Sequence, residues 1–318
     1  MISIDVRDYS GDYYDIGLAH GRWLQNSEQF QALLAKVKDF ASEEQNTEEI
    51  RTILTTFCPQ LLEELKGIAD GMMISENEAL RWFAGYDLPA LEMGCTSFIT
   101  SEYYVRNYDF SPDIYDGTFL IQRHSENKWT CGNSELVVGR LDGMNSNGLT
   151  CGLHFVNNDT HKKGFLGSTI VRIIVETCNT VEDAIELLKE LPHAASYNFS
   201  LVDRNGEFAI FEASPEQTNV YREKNSISCV NMFQTDQMKH LNRQNVSSSV
   251  DRLHALANLS EATRPAGEVH NWFSDPASPV FYTDYENYFG TLHTVSYVPK
   301  ANTVEVTSSG GETQYIKM

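Results

Sequence analysis

The run Gly94-Cys95-Thr96-Ser97-Phe98 is followed by Arg106-Asn107-Tyr108-Asp109-Phe110, which begins eleven residues after the cysteine. A thiolate is a strong nucleophile, and its attack on the carbonyl before it is easiest at Gly-Cys. Glycine has no side chain in the way and tolerates the distorted backbone of an acyl shift. Hydrolysis of the resulting thioester would free the α-amine of Cys95. With a reference pKa of about 7.7 to 8.0 that amine is partly neutral near pH 7, so one residue can supply both nucleophile and base. An arginine and an aspartate three residues apart offer a fixed cation for a thiolate and an acceptor for an amine. The pair also reads as a surface ion pair. On a strand, residues i and i+3 point to opposite faces, so a bend is expected if both are to serve one site.

Other chemistries lose their support. There is no G-x-x-x-x-G-K-[ST], no strand-bounded G-x-G-x-x-G, no H-E-x-x-H and no G-x-S-x-G. Cys58, Cys95, Cys131, Cys151, Cys178 and Cys229 show no C-x-x-C pair and no zinc-type spacing with histidine, so reduced, buried packing is expected for all but Cys95. The nine histidines have no metal-ligand spacing, and a papain-like cysteine–histidine pair stays open at this point. No metal and no cofactor is implied.

The elements that must position these residues follow from periodicity and punctuation. Residues 28–94 read helical, with apolar steps of three and four through EQFQALLAKVKDF, TEEIRTILTTF and PQLLEELKGIADGM, and a capping box at Ser75 and Glu78. Gly17 and Gly21 signal close backbone packing. From Cys95 to about residue 155 short β-rich runs (TSFITSEYYV, GTFLIQR, SELVVGR, LTCGLHF) alternate with turn residues. Helices are expected over about 168–190, with Thr180 and Asp183 capping the second, and over 236–262. Between and after them FSLVD, EFAIFE, TNVYRE, SISCVNMF, TLHTVSYVP and NTVEVTSS read as strands. This order predicts an α+β fold, two antiparallel sheets packed together with helices outside, and not a parallel βαβ array.

Composition narrows the class. The 318 residues carry 24 Lys plus Arg against 44 Asp plus Glu, a net charge of −20, which argues against nucleic acid and anionic lipid as partners. No run approaches the roughly 20 apolar residues of a membrane span, and the opening residues lack a signal-peptide pattern, so a soluble, cytoplasmic protein is expected.

The ordered set of motifs resembles the N-terminal-nucleophile hydrolases of the penicillin acyltransferase and choloylglycine hydrolase group, in the branch that carries a propeptide and cuts itself at Gly-Cys. The stretches that carry the resemblance are GDYYDIGLAHG at 11–21, EELKGIADGM at 63–72, the Gly94-Cys95 junction, RNYDF at 106–110, DGMNSNGL at 142–149 and CGLHF at 151–155, then SLVDRNGEFAIFE at 200–212, CVNMF at 229–233 and SSSVDR at 247–252. The resemblance implies a four-layer αββα sandwich, a mainly helical propeptide over 1–94 and a catalytic domain over 95–318, packed as one unit. It implies cleavage between Gly94 and Cys95, with Cys95 as nucleophile and α-amine base. Arg106 would favour the thiolate and Asp109 would orient the amine. Asn231 would donate to the oxyanion, His154 stands where relatives carry a second donor, and Arg252 would support the site from a helix. The implied reaction is cleavage of a linear C–N amide of a small N-acyl compound through a thioester. Transfer of the acyl group to an amine is the alternative outcome, and an uncleaved, latent or ligand-binding protein of the same fold is the rival. The implied partners are the small-molecule amide and the chain's own propeptide.

Overall fold

The computed structural model describes residues 2–41, 45–89, 93–259, 264–287 and 289–318. The first part of the chain holds β1 (Asp5–Ser10), α1 (Tyr13–Asn26), α2 (Glu28–Phe40), α3 (Thr47–Phe57), α4 (Pro59–Met72) and α5 (Glu76–Phe83). Strands follow: β2 (Gly94–Thr100), β3 (Tyr104–Phe110), β4 (Thr118–Ser125), β5 (Lys128–Glu135), β6 (Gly139–Arg140), β7 (Asp142–Asn145) and β8 (Thr150–Phe155). Then come α6 (Gly167–Thr177), α7 (Val181–Glu190), β9 (Tyr197–Val202), β10 (Phe208–Ala213), β11 (Thr218–Tyr221) and β12 (Ser226–Cys229). The chain closes with α8 (Ser247–Ala257), α9 (Ala266–Ser274), β13 (Thr283–Asp284), β14 (Phe289–Val298), β15 (Thr303–Ser308) and β16 (Thr313–Lys317).

The strands form two sheets. One runs β1-β4-β5-β7-β8-β9-β10-β11, with β6 beside β5; the other runs β12-β2-β3-β14-β15-β16, with β13 beside β14. Helices α6 and α7 cover the first sheet and α8 and α9 the second, while β2 packs face to face on β8 and β9. The α+β sandwich expected from the order of elements is therefore present. Pairing is antiparallel except between β1 and β4, which run parallel from Asp5 opposite Thr118 to Ser10 opposite Arg123. β2 and β3 are buried on both faces almost throughout, as central strands of a covered sheet must be.

The first 94 residues are built into this frame. α1 crosses α4 so closely that a Cβ on Gly17 would lie 2.1 Å from the Glu64 carbonyl oxygen, and one on Gly67 2.1 Å from that of Tyr14. Only glycine permits that approach. The crossing carries Glu64 inward, where Arg172 on α6 pairs with it and Gln122 Nε2 on β4 donates to Glu64 Oε1 at 2.9 Å. Arg172 also lies 2.9 Å from Glu176, which accepts from Tyr13 on α1. Fully buried charges persist only when paired and hydrogen-bonded, so this cluster ties α1 and α4 to the sandwich.

Several sequence expectations shift. Ser75 with Glu78 and Thr180 with Asp183 both form capping boxes as read. The run SELVVGR is not one strand: β5 ends at Glu135 and the chain turns at Leu136 and Val137, both at positive φ (50° and 71°). Asp116 holds that turn, its Oδ2 accepting from Val137 N at 3.1 Å and Ser134 Oγ at 2.7 Å. The helix expected over 236–262 is α8 alone, preceded by a short 3-10 turn at Lys239–Leu241; residues 260–262 lie outside the described residues. The helical reading of 28–94 ends at Phe83, and Gly94 already belongs to β2, while β1, α1 and α9 lie outside the runs read above. Among the described residues no helix is long and apolar enough to cross a membrane.

Candidate active site

Cys95 is the second residue of β2 and is fully buried. Its strand neighbour is Tyr108, while Gly94 stands opposite Asp109 and Ser97 opposite Arg106. That register removes the need for a bend. Alternation puts Cys95, Arg106 and Tyr108 on the face toward the other sheet, and Gly94, Thr96 and Asp109 on the face toward α8. Because the Gly94–Cys95 bond lies in the strand itself, Arg106 and Asp109 reach it from opposite faces.

Arg106 Nη2 donates to Cys95 Sγ at 3.0 Å and to the Leu153 carbonyl at 2.8 Å. Its Nη1 is paired with Asp142 Oδ2 at 2.5 Å, and Asp142 Oδ1 accepts from Tyr297 OH at 2.6 Å and Asn133 Nδ2 at 2.9 Å. Burial alone would raise the Asp142 carboxyl, but His293, Arg106 and Tyr297 hold it well below its ordinary range. The guanidinium thus stays charged and its aim is fixed. Burial pushes the Cys95 thiol up, with Arg106 working against it and Asp109 adding to it. The thiol therefore waits for a base.

Asp109 sits against the Gly94–Cys95 bond. A Cβ on Gly94 would meet Phe289 Cζ at 2.6 Å, Asp109 Cβ at 2.9 Å and Asp109 Oδ2 at 3.1 Å. Oδ1 accepts from Thr291 Oγ1 at 2.6 Å, while Oδ2 is buried without a partner. Burial pushes this carboxyl up to about 6, with Arg252, Thr291 and Arg106 pulling it down. The open oxygen is an acceptor in search of a donor.

Asn231, just after β12, accepts from the Cys95 backbone N at 2.7 Å through Oδ1. Its Nδ2 donates to the carbonyls of Met93 at 3.1 Å and Phe155 at 2.8 Å. Arg252 is a buried residue of α8; it donates to Cys95 O at 2.7 Å, Thr96 Oγ1 at 2.8 Å and Asn231 Oδ1 at 3.0 Å. His154 on β8 reaches across to Ser97 Oγ at 3.2 Å and Ser200 Oγ at 3.0 Å through Nε2, and its Nδ1 is buried unpartnered. Burial and Arg106 hold the ring neutral. All six side chains singled out in the sequence thus converge around one peptide bond.

Sequence reasoning missed Asp142, Thr291 and Asn157. Asn157 grips Met93 by both backbone groups, accepting from its N at 3.3 Å and donating to its O at 3.1 Å. Asp142 opens the DGMNSNGL stretch, so that motif was the signal for it. Nothing in the sequence marks Thr291 or Asn157.

Residues 99–312 match the model of the acyl-coenzyme A:6-aminopenicillanic acid acyl-transferase family. The chain belongs to this family. The matched stretch starts four residues after Cys95, so the case for that cysteine rests on the geometry above. Among solved structures, the chain is similar to the conjugated bile acid hydrolase of Clostridium perfringens, with 12% identity, 71% of this chain and 92% of that one covered, and a TM-score of 0.46. It is similar also to penicillin V acylase from Agrobacterium tumefaciens (15% identity, 71% and 86% covered, TM-score 0.38). A third is the Caenorhabditis elegans ortholog of N-acylethanolamine-hydrolyzing acid amidase (12% identity, 65% and 93% covered, TM-score 0.44). A search of curated proteins returns no match.

Proposed function

We propose that this protein is a self-processing cysteine amidase that cuts its own chain between Gly94 and Cys95 and then hydrolyses a linear C–N amide of a small N-acyl compound. The observation that carries the reading is Cys95 itself, with Arg106 Nη2 3.0 Å from Sγ and the backbone nitrogen 2.7 Å from Asn231 Oδ1. In self-processing the Cys95 sulfur bonds to the Gly94 carbonyl carbon and the C–N bond breaks, its nitrogen taking the thiol proton. Water then hydrolyses the thioester, leaving a Gly94 carboxylate and a free Cys95 amine. In turnover that amine takes the thiol proton and the thiolate attacks the substrate carbonyl. The proton passes to the leaving amine, and water releases the acid.

Asp109 Oδ2, open in the uncut chain, is the acceptor for the new amine, and Arg106 stabilises the thiolate. Residues 1–94 become a light chain that stays with residues 95–318. An amine in place of water would make the same residues an acyltransferase. The rival reading, a latent uncut chain, finds its support in the small cavity lined by Met93, Leu153 and Phe155, of only about 60 Å³.

Intact mass under denaturing conditions, with N-terminal sequencing, tests the proposal. Cleavage of the 36.0 kDa chain gives pieces of roughly 11 and 25 kDa, the heavier beginning Cys-Thr-Ser-Phe, and Cys95→Ala leaves one uncut, inactive chain. A natural protein that stays whole yet hydrolyses amides, or an active alanine variant, refutes it.

A further inference from the structure

β14 runs two strands away from the Gly94–Cys95 bond, and its register changes there. Thr291 stands opposite Asp109 on β3 and His293 opposite Tyr108, so Leu292 is one residue too many for the partner strand. On a regular strand residues 291 and 293 would share a face; this bulge turns them to opposite faces. Thr291 donates to Asp109 on the side of α8. His293 instead completes a row with Tyr108 and Cys95 across β14, β3 and β2, on the face toward the other sheet. Its ring is fully buried and lies 5.4 Å from that of Tyr108.

The imidazole is met from both ends. Its Nδ1 is 2.7 Å from Tyr115 OH, and its Nε2 is 3.7 Å from Asp142 Oδ2 with no hydrogen-bond partner of its own. Asp142 Oδ1 is filled by Tyr297 and Asn133, so Oδ2, which holds Arg106 Nη1, is the oxygen with room for another donor. Among the described residues, the ionisable groups facing the ring are Asp142 on β7, Arg106 and Tyr108 on β3, and Tyr115 from the loop before β4. Burial, with Arg106 adding to it, pushes the His293 ring down against the pull of Asp142, so the ring is neutral near pH 7. With Tyr115 OH donating to Nδ1, the single ring proton sits on Nε2 and points at the carboxylate. The other tautomer would set a lone pair against an anion.

We infer that His293 is a positioning residue for the nucleophile: it takes up the Asp142 carboxylate as Arg106 commits its charge to the Cys95 thiolate. The inference rests on the proposed role of Cys95 as the acyl-accepting nucleophile. Once the thiol has given its proton to the amine, one guanidinium serves two anions. Arg106 then stands between Cys95 Sγ at 3.0 Å and Asp142 Oδ2 at 2.5 Å, and each anion weakens its hold on the other. A donor that closes the remaining gap to Oδ2 spares Arg106 for the sulfur, because charge-assisted hydrogen bonds are strong in a buried site. The bulge thus serves both faces of the Gly94–Cys95 bond. Thr291 holds the acceptor for the amine on one, and His293 steadies the cation for the thiolate on the other.

The test follows alkylation of Cys95 by iodoacetamide in purified, cut protein as a function of pH, read from the mass of the heavy chain's N-terminal peptide. His293→Leu removes the donor, His293→Gln keeps an N–H at its end, and Tyr115→Phe frees Nδ1 and with it the tautomer. In His293→Leu the thiol should ionise about one pH unit or more higher, the size of a hydrogen bond to a charged group, and kcat should fall about tenfold or more with KM little changed. His293→Gln returns the profile most of the way, and Tyr115→Phe shifts it in the direction of His293→Leu but less far. A residue that only fills space would lower the unfolding midpoint and leave the profile where it was. Should His293→Leu fail to fold, Tyr115→Phe, which keeps its ring, decides alone. A profile unmoved in the folded variants, or moved as far by His293→Gln as by His293→Leu, overturns the inference. Natural protein that stays uncut, with Cys95 unalkylated at every pH, overturns instead the reading of Cys95 beneath it.

Discussion

Replacing Asp109 by asparagine should make the uncut protein more stable while disabling the mature one. Asp109 is fully buried, with Oδ2 unpartnered, and burial raises its carboxyl from 3.8 to about 6. The folded chain therefore holds a proton there more tightly than the unfolded chain does. The contribution to stability is complete below about pH 3.8 and is lost as pH rises through about 6. A gap of about 2 pH units, at 1.36 kcal/mol each, is about 3 kcal/mol. Urea unfolding in a Cys95→Ala background, which keeps the chain whole, reads this directly. Asp109→Asn should change stability little near pH 4 and raise it by about 3 kcal/mol near pH 8. In the self-cutting protein the same substitution puts an amide where an acceptor for the Cys95 amine is needed, and turnover should fall by about a hundredfold or more. A stability difference that is the same at both pH values would refute the assignment of an uncompensated carboxylate, and unchanged kcat would refute its role.

Asn231→Ala removes the acceptor for the Cys95 nitrogen and the proposed oxyanion donor, so kcat should drop about 100- to 1000-fold with the fold retained, read by steady-state kinetics and circular dichroism. Glu64→Gln leaves Arg172 with Glu176 and Gln122 but strips it of its partner on α4; breaking a buried pair of this kind costs about 3 kcal/mol or more. A lower unfolding midpoint, with release of the light chain from cut protein on gel filtration, is the expected outcome, and an unchanged midpoint would show that the cluster does not hold residues 1–94 in place.

Much of the frame was legible because local rules agree with it. Capping boxes mark the starts of α5 and α7, apolar periodicity marks α2 to α4, and the Gly17 and Gly21 spacing foretells the close crossing of α1 on α4. What escaped depends on distant partners. β1 is a strand because β4 lies beside it, and the apolar LVV of 136–138 turns instead of extending because Asp116, some twenty residues earlier, holds Val137. The site was legible in part. Spacing suggested Cys95, Arg106 and Asp109, and the family resemblance added Asn231, Arg252 and His154.

The hydrogen bonds of Asn231 would give the proposed self-cleavage a second consequence beyond freeing an amine. In the uncut chain both of its N–H groups are taken, one by the Phe155 carbonyl and one by Met93, a residue of the segment that cleavage detaches. A donor occupied by the chain's own carbonyl cannot receive a substrate oxyanion. Once the Gly94–Cys95 bond is broken, Met93 is held by Asn157 and Asn231 and no longer by the strand that continues into Cys95. Its withdrawal would release the Asn231 donor and enlarge the cavity that it lines, in one movement. Oδ1 meanwhile keeps its place against the Cys95 nitrogen, fixed by Arg252, so the group that orients the base does not move when the oxyanion donor becomes free. Scission would thus supply nucleophile and base at once, while the donor and the space become available only as Met93 leaves Asn157 and Asn231, so the proposed latent and active forms differ by one peptide bond and the local movement it permits.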